Sequence, residues 1–128
     1  MHRYIFNIIF LLVIVSPGFP EDSHVVSDIY TIEDDSSYSL ILDHNHAKID
    51  YMVQEIFDPP TVIIELKNAI WDRGNFTRKS AHSPLYQFDV RAQYFKSQSK
   101  KNLAGIRVRM SFNNIPRYTV SELSLIHI

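Results

Sequence analysis

No cysteine occurs among the 128 residues. Disulfides are thereby excluded, as are zinc–thiolate sites and lipid attachment to a cysteine. An exported domain of this kind has to stand on its apolar core alone, which suits a bacterial periplasm or surface better than a small disulfide-stapled secreted module. Glycine is scarce as well. The three glycines are isolated at Gly18, Gly74 and Gly105, so neither a glycine-rich phosphate loop nor a G-x-S-x-G elbow is present. The chain has no long apolar run: the stretch from Tyr4 to Val15 falls short of the ~20 residues needed to span a bilayer, and no permanent membrane span is expected.

What is present argues for a folded domain. Hydrophobic residues make up 45%, with seven tyrosines and eight phenylalanines. The opening MHRYIFNIIFLLVIV has a short basic start and an apolar stretch. Ser16-Pro17-Gly18 and then acidic Glu21-Asp22 follow. This is the layout of a secretory signal peptide, so residues 1–20 are assigned to a leader cleaved after Gly18. The remainder is enough for one small domain.

The net charge of −1 conceals a division. Residues 21–66 hold eleven Asp/Glu against Lys48 alone, a local charge of −10. Residues 67–117 hold eleven Lys/Arg against Asp72 and Asp89, a local charge of +9. Either the two parts neutralise and solvate each other, or the basic part faces an anionic polymer. Export and the balanced total argue against nucleic acid.

The strongest element is IDYMVQEIFDPPTVIIEL, residues 49–66. Two strand-like runs flank Asp58-Pro59-Pro60, where fixed φ and missing donors stop a helix or ladder; a hairpin is expected. SHVVSDIYT and YSLIL read as earlier strands. LYQFDVRAQYF alternates, with Tyr86, Phe88, Val90, Ala92 and Tyr94 on the apolar face. IRVRMSF alternates too, with Ile106, Val108, Met110 and Phe112 inward and Arg107 and Arg109 outward. Another strand starts at Tyr118. Residues 67–82 read as irregular. At least seven short strands and no helix predict an all-β fold.

Residues 38–55 echo residues 106–122. Each has an alternating strand, an Asn-containing turn, and a second strand: Tyr51-Met52-Val53-Gln54-Glu55 against Tyr118-Thr119-Val120-Ser121-Glu122. The expectation is a β-sandwich of two similar antiparallel sheets over residues 21–122, truncated at the C-terminal strand. Residues 123–128 are read as a non-native tail, with a genuine closing strand as the alternative.

DDSSYSLIL with IDYMVQEIFDPPTVIIELKNAI resembles the first half of the AMIN domain, notably in the segment Asp58-Pro59-Pro60-Thr61-Val62-Ile63-Ile64-Glu65-Leu66-Lys67-Asn68-Ala69. LYQFDVRAQYF with IRVRMSFNNIPRYTVSE resembles the second half. The resemblance implies a periplasmic β-sandwich of two similar halves. It also implies a non-catalytic role, targeting a protein to the cell envelope by binding peptidoglycan. AMIN domains stand before N-acetylmuramoyl-L-alanine amidases, which makes an amidase the expected parent. The alternative is the N-terminal domain of a type IV pilus secretin, contacting envelope or pilus-assembly proteins. No amidase or secretin domain follows in this sequence.

Candidate ligand-binding residues are Arg91, Arg107, Arg109 and Tyr118. Arginine offers a planar pair of donors to the carboxylates of peptidoglycan stem peptides, and tyrosine can stack on a sugar face. Pairing of the arginines with the acidic part is the plainer reading. Trp71 reads as a core residue before a sugar platform. His44 and His46 read as a solvated turn and Asp34-Asp35 as a solvated loop, so no catalytic residue, metal ligand or cofactor is expected.

Overall fold

The computed structural model describes residues 5–14, 25–33, 37–45, 50–71, 73–80, 84–96 and 102–126. Among them are nine strands and no helix: β1 (Ile5–Ile14), β2 (Val26–Glu33), β3 (Ser37–His44), β4 (Tyr51–Phe57), β5 (Pro60–Lys67), β6 (Phe76–Lys79), β7 (Leu85–Lys96), β8 (Asn102–Phe112) and β9 (Tyr118–Ile126). The chain adopts the all-β class expected of a β-sandwich, with its strands in two sheets. The chain divides into two units: Met1–Lys48 with Pro116–Ile128, and Ile49–Ile115.

The second unit holds a five-stranded sheet in the order β4-β5-β8-β7-β6. Every neighbouring pair in it is antiparallel. The expected hairpin is there: β4 and β5 pair from Tyr51 with Leu66 to Phe57 with Pro60. The turn consists of Asp58 and Pro59, whose peptide bond is cis, and the Thr61 hydroxyl donates to the Pro59 carbonyl at 2.9 Å. Pro60 is the first residue of β5, a place where its missing N–H costs no ladder bond. Val62, Ile64 and Leu66 of β5 are fully buried, as are Ile106, Val108 and Met110 of β8. On β8 this alternation leaves Arg107 and Arg109 exposed, whereas on β5 Thr61 and Ile63 of the opposite face are buried as well.

Two expectations change in this sheet. A register shift between Leu85 and Gln87 breaks the alternation at the start of β7. A bulge inserts one residue, so Leu85 and Phe88 are both buried while Tyr86 is 45% exposed. Ala92 is exposed as well. The stretch read as irregular contains β6, a four-residue edge strand paired with β7. Phe76 of β6 meets the Phe88 ring edge-on at 5.9 Å, and the Arg78 guanidinium lies 5.3 Å from the Phe76 centroid. Four residues are too few to show a period.

The first unit holds a four-stranded sheet in the order β2-β3-β1-β9. β2 and β3 are antiparallel, but β1 runs parallel to both β3 and β9. This corrects the expectation of antiparallel pairing throughout. No tight turn joins β1 to either neighbour, so nothing in the connectivity imposes opposite directions. The stretch assigned to a leader is thus an inner strand, with Phe6, Ile8 and Phe10 buried. Part of the stretch read as a non-native tail lies in β9. In β3, Tyr38 through Leu42 are all buried, so both faces of that strand are covered.

The internal echo is also arranged differently from expectation. Its two copies do not form one sheet each. β3 and β4 belong to different sheets, as do β8 and β9.

Candidate functional site

The exposed face of the five-stranded sheet gathers the candidate arginines. On β8, burial of Ile106, Val108 and Met110 turns Arg107 and Arg109 to the other side, where both are exposed. Two neighbouring strands fix what lies beside them. β7 sets Arg91 opposite Arg107 and Asp89 opposite Arg109. β5 sets Glu65 opposite Arg107 and Ile63 opposite Arg109.

The charges are unevenly matched. Arg107 Nη2 meets Glu65 Oε1 at 2.6 Å, with the arginine side chain 46% exposed and the glutamate 14%. Like charges directly opposite one another across two strands repel. Arg107 therefore leans on Glu65, and Arg91 has a cation as its cross-strand neighbour. On the other side of β7, β6 begins at the register of Val90, so no β6 residue stands beside Arg91. Asp89 accepts a hydrogen bond from the Thr77 hydroxyl of β6. The face thus carries one braced guanidinium, Arg107, flanked by Arg91 and Arg109 on an open, water-facing surface. Such a row can grip a carboxylate through paired N–H donors.

Tyr118 is not part of this row. It opens β9, in the sheet of the other unit, and is half-buried. Trp71 is a core residue: it is 7% exposed, its indole N–H donates to the Gly74 carbonyl at 2.9 Å, and its ring lies 6.0 Å from Phe76. A small cavity of about 160 Å³ beside it is lined by Ala69, Ala92, Gln93 and Gly105 among others. His44, read as solvated, is buried at the end of β3, with its ring 6.4 Å from Phe10. His46 and Asp34-Asp35 lie outside the described residues. Among the described residues no three His, Cys, Asp or Glu side chains are grouped to hold a metal ion.

Sequence reasoning missed Glu65, Asp89 and Thr77 as neighbours of the arginines. Alternation shows which face a residue takes, but only the register between strands shows which residues meet. A second cluster lies on β2 and β3. Tyr30 donates to Asp43 at 3.3 Å, and Asp28 stands opposite Asp43. Burial, with the Asp28 charge beside it, pushes the Asp43 carboxyl above its usual range against the opposing effect of the Tyr30 hydroxyl. Burial and the Asp43 charge likewise raise the Tyr30 phenol.

The chain matches no protein-family model, no curated protein and no solved structure.

Proposed function

We propose that this chain is a non-catalytic targeting module of the cell envelope. It holds peptidoglycan on the exposed face of its five-stranded sheet through Arg91, Arg107 and Arg109, and so localises whatever domain it is attached to. The observation that carries the reading is the placement of three arginines at adjacent register positions on one water-facing surface, with Arg107 bridged to Glu65. Stem peptides present carboxylates at short intervals, and guanidinium groups pair with carboxylates two bonds at a time. Three further features support it: the resemblance to AMIN domains, the leader-like composition of the opening residues, and the absence of cysteine.

Co-sedimentation with isolated sacculi tests the proposal. The chain is expected to pellet with sacculi at moderate salt. Replacing Arg91 and Arg109 together by alanine should weaken pelleting by roughly tenfold, the effect of losing about one charge-assisted contact. Lysine at both positions should give an intermediate result, because charge is kept and the planar fork is lost. Failure of the parent chain to pellet, or unchanged pelleting of the alanine variant, overturns the reading.

A further inference from the structure

The two sheets can be compared strand by strand through the internal echo. The echo equates β8 with β3 and β9 with β4. In the second unit, the order across the sheet is β4, β5, β8, β7. In the first unit it is β9, β1, β3, β2. β7 precedes β8 in the chain and pairs with it antiparallel, as β2 precedes and pairs with β3. Three of the four positions therefore correspond in order and in role. The fourth equates β1 with β5, the PTVIIELK strand.

The correspondence fails there in one respect. β5 runs antiparallel to both of its neighbours, and β1 runs parallel to both of its own. The two strands also differ in sequence origin: β5 directly follows the strand it pairs with, while β1 comes from the leader-like start of the chain. We infer that the lane between β3 and β9 is an acceptor site for an antiparallel β-strand of the β5 type, and that β1 is a replaceable occupant of it. Antiparallel pairing is slightly more stable per residue than parallel pairing, so an incoming strand of that direction can compete.

The lane states what it accepts. β1 buries Phe6, Ile8 and Phe10 on one face. On the other, the Asn7 amide donates to the Ser39 hydroxyl at 3.4 Å and accepts from the Thr119 hydroxyl at 2.7 Å. The ligand is therefore an extended peptide segment, apolar at alternate positions, with a polar side chain on its other face between Ser39 and Thr119. Main-chain hydrogen bonds supply affinity in this mode and the alternating side chains supply selectivity. β5 meets the description, with Val62, Ile64 and Leu66 on one face and the polar Thr61 and Glu65 beside Ile63 on the other. The inference does not rest on the envelope reading, because sacculus binding is read on the other sheet.

The test uses the full chain with a protease site inserted within residues 17–24 and a Thr119→Cys substitution, the sole cysteine in the chain. After cutting, the nicked protein is incubated with the peptide PTVIIELK carrying a lysine-rich solubilising tag and a cysteine at one end or the other. Thr119 lies level with the N-terminal part of β1. An antiparallel occupant brings its C-terminal end there. The expected result is release of the residue 1–17 fragment, seen by mass spectrometry, and disulfide cross-linking at least tenfold faster with the C-terminal cysteine than with the N-terminal one. Retention of the fragment in excess peptide, or faster cross-linking of the N-terminal cysteine, overturns the inference.

Discussion

At Gly74 the backbone takes φ +82°, and a β-carbon built there would meet nothing within 4 Å. The requirement is therefore conformational and not a matter of space. The Gly74 carbonyl also accepts the Trp71 indole bond, so this turn holds the tryptophan in the core. Gly74→Ala should cost about 1 kcal/mol, read by urea denaturation, because a side chain in the left-handed region crowds its own backbone. Asn68, at φ 55°, takes the same region with a residue that tolerates it. The Asp43 carboxyl gives a pH test. Its folded pKa is raised, chiefly by burial, so the charged form is disfavoured in the folded state. That penalty is present above the folded pKa and fades as pH falls towards the unfolded value near 4. Asp43→Asn should therefore stabilise the protein at pH 7 by about 0.5 kcal/mol, and the gain should vanish below about pH 4 when denaturation is repeated there. At this scale the sequence was informative about residue type and poor about surroundings. The outward direction of Arg107 followed from Ile106, Val108 and Met110; its bond to Glu65, 42 residues away, did not.

Single strands were the most legible level. From Ile106 to Phe112 β8 alternates without a break, and its buried and exposed residues fall where that alternation predicts. Two neighbours on it should therefore behave very differently. Val108→Asp places an unpaired carboxylate at a fully buried position and should cost on the order of 4 kcal/mol or more, enough to unfold a marginal domain. Arg107→Ala removes an exposed ion pair and should cost only about 0.5 kcal/mol. Denaturation curves of the two variants check the contrast; similar losses would mean that the two faces of β8 are not distinct. The hairpin of β4 and β5 was legible because Asp58-Pro59 leaves the chain little choice. β6 was not, since four residues show no period. The bulge at Tyr86 was not: the inserted residue swaps Leu85 and Tyr86 between the faces and leaves Phe88 and Val90 where alternation puts them. β1 lies in the stretch assigned to a leader, where a short apolar run after a basic start carries no signal of which strands it would pair with.

The molecule as a whole mixes its halves: each sheet takes strands from both copies of the echo. Strand pattern alone could not show this, because alternation does not encode which strands become neighbours. Charge acts at the same scale. Residues 67–117 are strongly basic and supply all three arginines of the exposed face. Binding to sacculi should weaken by roughly tenfold between about 50 and about 300 mM salt, followed by sedimentation, as screening shortens the reach of exposed charges. Salt-independent binding would point to stacking or apolar contact instead. The pairing of β1 with β9 carries a consequence for synthesis. Asn7 and Thr119 meet across 112 residues, so β1 waits for β9 until the 112 residues that follow Asn7 have been translated. At ordinary elongation rates that is roughly 10 s. For that interval the apolar start of the chain has no β9 to join, and whatever captures nascent N-termini at the ribosome has first access to it.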